Sequence, residues 1–174
     1  MTLVPDDKDW TWVLERKCDE CGFDAAAVAA VDVAQMTRDA SARWVEVLTA
    51  GGDVATRPRP EIWSPLEYGC HVRDVYRVYT GRLRRMLNED GPHYENWDQD
   101  ATALEERYAE QVPTAVAAEL RDEGTTIANL FDSVDGDQWQ RTGFRSDGAA
   151  FTIDSISRYF IHDIVHHLHD VGAA

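Results

Sequence analysis

The sequence has few basic residues and no long apolar run, and each shortage excludes a class of protein. Seventeen lysines and arginines stand against 32 acidic residues, giving a net charge of −15, which argues against binding nucleic acid or an anionic membrane surface. No apolar run reaches the ~18 residues that a membrane-spanning helix needs. The start of the chain lacks a basic segment followed by an apolar one, so we expect no targeting peptide and a cytoplasmic protein.

Cysteine is also scarce, and the three cysteines do not suggest a disulfide framework. Cys18 and Cys21 form a C-x-x-C pair, which is half of a zinc ribbon, but no second C-x-x-C exists to complete four ligands. The pair is equally compatible with a redox dithiol or with two small residues that pack an N-terminal arm. The sequence leaves these alternatives open, and we expect Cys70 to be packed inside the fold.

Apolar residues at helical spacing mark the first two helices. The first follows Asp24, a residue type that caps helix N-termini, and continues for roughly 25 residues until Gly51 and Gly52 end it. The second begins at Ser64 with the capping-box pattern SPLE and ends before Gly91. Both segments carry an apolar stripe, which predicts that one face of each helix is buried.

The second half of the chain contains two more helical stretches and a short region without helical periodicity. The third stretch covers about 101–134, and Pro113 should divide it just before the proline ring. Asp147-Gly148, flanked by phenylalanines, is a hairpin turn signal and suggests a short β-excursion. The last helix begins near Thr152 and ends before Gly172.

Four amphipathic helices with few strand signals predict an all-α protein with a four-helix bundle. The 174 residues suit a single domain. We place the bundle at about 24–171 and an N-terminal arm, with the C-x-x-C pair, at 1–23. The long connections leave the up-and-down order of the helices open.

Histidine spacing in the last helix points to a metal site. His162 and His166 lie four residues apart, so their imidazoles can converge on one ion. A third ligand must come from elsewhere, and His71, two turns into the second helix, is the natural candidate. The helix dipole accounts for His167 and His169 without a metal, although His169 shares the stripe of His166 and serves as an alternate ligand.

Two other side chains border the predicted site. Asp163 points about 100° away from His162 and can pair with His167 at i+4, so we do not expect it to be a metal ligand. Tyr159 lies three residues before His162 on the same stripe. We therefore predict that Tyr159 borders the metal pocket and helps to bind a cofactor or substrate.

The segment WSPLEYGCHVRD at 63–74, together with HDIVH at 162–166, resembles the DinB-like superfamily, which includes the metal-binding domain of thiol-dependent maleylpyruvate isomerases. The resemblance covers most of the chain. It implies a four-helix bundle in which helix two supplies one histidine, and helix four an H-x-x-x-H pair, to a divalent metal, usually zinc or nickel. Those positions in this sequence are His71, His162 and His166.

The resemblance also implies a function, a thiol-dependent S-transferase. The metal would bind a low-molecular-weight thiol such as mycothiol, lower its pKa and promote its transfer to a small electrophile. Because the chain ends at Ala174 without the further domain of those isomerases, we do not expect maleylpyruvate as the substrate. A non-catalytic or stress-related metal-binding module and a metal-dependent hydrolase remain alternatives, and the resemblance further implies a homodimer.

Overall fold

The computed structural model describes residues 9–174 of the chain. These residues form five α-helices and three short strands. The helices are α1 (Val33–Thr49), α2 (Pro65–Asn88), α3 (Gln99–Glu105), α4 (Pro113–Asp132) and α5 (Ile153–Asp170), and the strands are β1 (His93–Tyr94), β2 (Thr142–Arg145) and β3 (Ala150–Thr152). Residues 1–8, on which the expectation of no targeting peptide mainly rests, lie outside the described residues.

The long helices α1, α2, α4 and α5 form a four-helix bundle, which confirms the fold predicted from the sequence. Helix α4 packs against α1 and α2, and α5 packs against α1 and α2. Trp44, Tyr76, Leu120 and Phe160 are fully buried between them, and burial of such large apolar side chains is the main stabilising contribution in a domain of this size. Among the described residues, no helix combines the length and apolarity needed to cross a bilayer.

The boundaries of three helices follow the predicted local signals. At the start of α2, the Ser64 hydroxyl accepts a hydrogen bond from the Glu67 N–H at 3.2 Å, and the Glu67 carboxylate accepts one from the Ser64 N–H at 2.8 Å. Pro113 occupies the first turn of α4, and Thr152 caps α5. The capping side chains of Ser64 and Thr152 accept hydrogen bonds from backbone N–H groups that a helix start leaves unpaired, and Pro113 has no N–H that would need a partner there.

The first helix begins later than predicted. Asp24 caps only a 3-10 turn, Ala25–Ala27, after which the backbone is extended at Val28. Helix α1 therefore begins at Val33. The intervening segment packs against α5 and buries Ala30, so a tertiary contact outweighs the helix propensity of this alanine-rich stretch.

The small sheet lies at one end of the bundle. Strands β2 and β3 pair antiparallel, as the hairpin signal predicted, with Gly143 opposite Phe151. The turn between them contains Gly148 at φ +96°, a conformation that glycine adopts without a steric penalty. Strand β1 pairs parallel with β2, a contact that the sequence did not predict.

Close helix packing at Gly124 of α4 gives a first testable prediction. A Cβ atom at Gly124 would overlap the Ser41 hydroxyl and lie 3.0 Å from the Tyr76 ring. The hydroxyl groups of Ser41 and Tyr76 also share a buried hydrogen bond of 2.9 Å. We expect Gly124→Ala to lower the free energy of unfolding, measured in urea, by about 1–3 kcal/mol.

Gly81 on α2 is the matched control for this substitution. It is exposed, and an added Cβ would meet nothing within 4 Å, so Gly81→Ala should stabilise the protein by about 0.5–1 kcal/mol through helix propensity. Similar effects of the two substitutions would contradict the close approach at Gly124.

Candidate metal centres

Helix α5 carries two overlapping pairs of potential metal ligands. His162 and His166 form one pair at i,i+4 spacing, and Asp163 and His167 form the other. Successive helical residues are rotated by about 100°, so the two pairs lie on adjacent faces of the helix. Helix α5 packs against α2 and also against the 3-10 turn Trp10–Leu14. The two pairs can therefore meet different partners.

The first group of ligand atoms, which we call the His71 centre, consists of His71, Asp163 and His167. All three offer a ligand atom within 4.8 Å of the others. The Nε2 atom of His71 lies 3.2 Å from Oδ1 of Asp163, and Nε2 of His167 lies 3.5 Å from the same oxygen. Two imidazole nitrogens and one carboxylate oxygen thus converge at one point.

The donor set of the His71 centre fits a divalent metal. Two histidines and one carboxylate leave a coordination position open, as in catalytic zinc sites. The second ring nitrogen of His167, Nδ1, is 2.8 Å from Oδ2 of Asp170, the kind of contact that orients a ligating imidazole. The indole of Trp97 stacks on the His71 ring with centroids 5.3 Å apart and limits its movement.

Asp163 is ionised at neutral pH, which is the form that binds a cation. Burial by itself would raise the pKa of Asp163. Electrostatic attraction to His71 and a hydrogen bond with it, together with attraction to His167, outweigh burial and lower that pKa to about 2. The carboxylate therefore stays available as an anionic ligand across the physiological range.

The second group of ligand atoms, which we call the cysteine centre, consists of Cys18, Cys21, His162 and His166. Their ligand atoms also lie within 4.8 Å of one another. The Cys18 sulfur is 3.7 Å from Nδ1 of His166. Both cysteines are free thiols, and Cys18, His162 and His166 are buried. The centre is thus made by the N-terminal segment and α5.

Burial shifts the pKa values of three groups in the cysteine centre, His162, His166 and Cys21. Burial, reinforced by the neighbouring His166, lowers the pKa of His162 to about 4, and burial also lowers the pKa of His166. Both imidazoles are consequently neutral at pH 7, the form that ligates metals. Burial and the adjacent Cys18 thiol raise the pKa of Cys21 to about 11, so thiolate formation there needs a cation.

The three histidines predicted as one ligand set are divided between the two centres. His162 and His166 lie together, with ring centroids 5.1 Å apart. Within residues 9–174, however, His71 is grouped with Asp163 and His167 and not with these two. The cause is the rotation of α5, which turns the Asp163 and His167 pair towards α2. The three-histidine set stays a prediction, and the geometry favours two separate centres.

Sequence reasoning set aside several residues that the structure brings into these centres. Asp163 was expected not to be a ligand, yet it shares the same i,i+4 spacing with His167 that suggested the histidine pair. The C-x-x-C and H-x-x-x-H motifs are the two halves of a Cys2His2 zinc pattern. They are 148 positions apart between Cys18 and His166, so no local spacing rule connects them. His169, the alternate ligand, belongs to neither group.

A cavity of about 640 Å³ adjoins both centres. Asp163 and His167 of the His71 centre line it, as do Arg82 and Arg145. Tyr159 also lines this cavity, and its hydroxyl lies 3.4 Å from Nη1 of Arg145. Its part in binding a cofactor or substrate stays a prediction.

Comparisons with known proteins agree with this architecture. Residues 34–171 match the sequence model of the DinB superfamily. The solved structure of YfiT from Bacillus subtilis, described as "a probable metal-dependent hydrolase with an unusual four-helix bundle topology", has the same fold, with a TM-score of 0.73 and 17% sequence identity over 83% of this chain and 85% of that chain. Among curated proteins, none matches this chain. Because the superfamily match spans the whole bundle, the chain belongs to the DinB superfamily.

Proposed function

We propose that this chain is a metal-dependent enzyme that transfers a low-molecular-weight thiol to a small electrophile. The observation that carries the proposal is the position of the His71 centre. Its donor set has only three protein ligands, and two of them, Asp163 and His167, line the 640 Å³ cavity; His162 and His166 line it too, but they belong to a group of four potential ligands. A catalytic metal site needs both an incomplete protein ligand set and space for a reactant beside it.

The chain's own residues have defined roles in this proposal. His71, Asp163 and His167 hold the ion, for which zinc is our first candidate and nickel the second, since imidazole and carboxylate ligands suit both. When bound, the metal lowers the pKa of a thiol that occupies its open position. Asp170 keeps the His167 ring in place through the 2.8 Å contact, and the stacked Trp97 keeps water away from one face of His71.

The cavity favours a polar reactant. Arg82 and Arg145 line it together with seven acidic residues, and Arg145 is paired with Asp147 at 2.8 Å, so its walls are charged and polar. Tyr159 accepts a hydrogen bond from Arg145, and burial raises the pKa of its hydroxyl, so the hydroxyl remains protonated at neutral pH and can donate to a bound molecule. We propose that Tyr159 orients the reactant in this way. A thiol rich in hydroxyl groups, such as mycothiol, meets these requirements.

Hydrolysis is the second candidate function. The fold neighbour YfiT is described as a probable metal-dependent hydrolase, and the same open position accepts water as readily as a thiol. The His71 centre would then activate water, and the chain would turn over a substrate without any added thiol. The dependence on thiol therefore separates the two functions.

A rate assay with defined metal content tests the proposal. The zinc-loaded or nickel-loaded protein is mixed with mycothiol and a panel of small electrophiles, and the thioether product is measured by mass spectrometry. We expect a rate that saturates with thiol and disappears after chelation. Turnover in thiol-free buffer would favour the hydrolase. If neither thiol nor electrophile binds and chelation only unfolds the protein, the site is a non-catalytic module.

The homodimer and the cytoplasmic location stay predictions from the sequence.

A further inference from the structure

We propose that Cys18, Cys21, His162 and His166 bind a second metal ion, a structural zinc, which fixes the N-terminal segment to the last helix. This site is separate from the His71 centre and does not depend on the proposed function. Four side chains from two distant parts of the chain supply it. Its role would be to hold one wall of the cavity in place.

The donor set is that of a closed zinc site. Two thiolates and two imidazoles complete a tetrahedron, which leaves no position for a reactant. Zinc–sulfur bonds of about 2.3 Å and zinc–nitrogen bonds of about 2.0–2.1 Å place neighbouring sulfur and nitrogen donors roughly 3.5 Å apart. The observed distance from the Cys18 sulfur to Nδ1 of His166 is 3.7 Å. The group therefore needs little rearrangement to enclose an ion.

An unpartnered buried atom is an independent sign of a missing ligand. His162 is only 4% exposed, and its Nε2 atom has no hydrogen-bond partner among residues 9–174. Burial of a polar atom without a partner is costly, and native structures rarely tolerate it. A zinc ion within the cysteine centre would satisfy this nitrogen.

The surroundings of His166 match those of a zinc-binding imidazole. While Nδ1 of His166 faces Cys18, its other nitrogen, Nε2, lies 3.6 Å from Oε2 of Glu20 and 3.8 Å from Oδ1 of Asp170. Carboxylates in this position orient the ring and increase the basicity of the ligating nitrogen. Glu20 lies between the two cysteines in sequence, so one loop contributes both ligands and an orienting carboxylate.

The loop around the cysteines is already folded for metal binding. The N–H of Cys18 donates to the Phe23 carbonyl at 2.8 Å, and the N–H of Gly22 donates to the Cys18 carbonyl at 2.9 Å. Gly22 has φ +78°, which a residue with a side chain rarely adopts. A redox dithiol is less consistent with this geometry, because Cys18 has no exposed surface and thiol exchange requires access to sulfur.

The zinc site would explain how a segment with little regular structure keeps its place on the bundle. The ring centroid of Trp10 lies 5.7 Å from that of His162 and 5.0 Å from that of His166. The ring centroid of Phe23 lies 5.3 Å from that of His162. Trp10 and Glu20 also line the cavity. By joining this segment to α5, the zinc would complete the cavity wall.

X-ray absorption at the zinc edge of the purified full-length protein tests this inference directly. We expect a zinc–sulfur shell at about 2.3 Å together with nitrogen at about 2.0–2.1 Å. The double variant Cys18→Ser, Cys21→Ser should lose the sulfur shell and one equivalent of zinc. Cys70→Ala, which removes the third cysteine outside both centres, should retain both. A shell of only nitrogen and oxygen in the wild-type protein, or a sulfur shell that survives the double substitution, would overturn the proposal.

The sulfur shell also distinguishes this proposal from the enzymatic one. The His71 centre has no sulfur ligand, so loss of its metal leaves the zinc–sulfur signal unchanged, and an absent sulfur shell says nothing about thiol transfer. If the double variant does not fold, Cys21→Ser alone provides the test, because it should lower the number of sulfur neighbours without removing the more buried Cys18.

Limited trypsin digestion provides a second measurement. Arg16 and Lys17 are exposed and directly precede Cys18, so cleavage there reports on the attachment of the segment. Removal of zinc should accelerate this cleavage about tenfold or more, because proteolysis follows local opening, and Asp163→Asn should not. An unchanged cleavage rate after verified zinc removal would contradict the structural role.

Discussion

Asp163→Asn should lower metal-dependent turnover at least about 100-fold and remove one equivalent of metal. The carboxylate contributes the only negative charge of the His71 centre, and its Oδ1 lies 3.2 Å from Nε2 of His71 and 3.5 Å from Nε2 of His167. Even outer partners of metal ligands account for 10–100-fold in affinity or activity, so a ligand should contribute at least as much. Elemental analysis and kcat/KM measured on the same preparation check the result.

His169→Ala is the matched control for this variant. His169 lies on the same helix end with its side chain about half exposed, and it belongs to neither centre. We expect it to keep full metal content and activity. If His162→Ala removes the catalytic metal while Asp163→Asn retains it, the three-histidine set predicted from the sequence is correct and the His71 centre as we define it is not.

Asp74→Asn should also have a large effect, lowering the free energy of unfolding by about 3 kcal/mol. Asp74 binds the guanidinium of Arg73 through two contacts of 2.9 and 3.0 Å and accepts a 2.6 Å hydrogen bond from the Tyr108 hydroxyl. The Arg73 side chain is only 4% exposed. Removal of the charge of Asp74 leaves a buried cation with only weaker partners, and breaking a buried pair costs about 3–5 kcal/mol. Urea unfolding at pH 7 measures the loss.

Glu119→Gln is the control for the Asp74 variant. Glu119 contacts Arg73 at 3.0 Å, but its side chain is about half exposed, so this pair should contribute less than about 1 kcal/mol. Equal losses for the two variants would show that Asp74 has no special role in the buried network.

The same carboxylate makes stability depend on acid pH. Burial alone would raise the pKa of Asp74, but hydrogen bonds from Arg73 and Tyr108 and the positive charges of Arg73 and Arg77 lower it. Asp74 therefore stabilises the folded state above its unfolded pKa of about 3.9, and this contribution is lost as the pH falls through the lower folded pKa. The free energies of unfolding of the wild type and Asp74→Asn should converge below about pH 4.

Local signals in the sequence were sufficient where the physical cause is itself local. The capping box at Ser64 and the helix start at Pro113 depend on residues a few positions apart, and both are found where predicted. The preceding helix α3, however, ends at Glu105, earlier than the break predicted near Val112. The predicted start of the first helix was wrong because the cause there is not local. The segment after Asp24 has good helix propensity, but its packing against α5 decides its conformation, and no neighbouring residue records that contact.

The arrangement of the potential metal ligands also could not be predicted from local sequence signals. The run HDIVHH contains two i,i+4 pairs, His162 with His166 and Asp163 with His167, and the sequence cannot say which of them faces His71. That choice depends on the rotation of α5 about its own axis, where a single residue step changes the direction by about 100°.

The sequence by itself determined an acidic, mainly helical bundle with potential metal ligands concentrated on its last helix, because composition, periodicity and capping act over short stretches. Only the tertiary structure decided that these side chains belong to two centres. It joined His71 to Asp163 and His167 across two helices, and it brought the two cysteines of the N-terminal segment to His162 and His166. Contacts between such distant residues depend on how the helices pack, and helix packing is a property of the whole core.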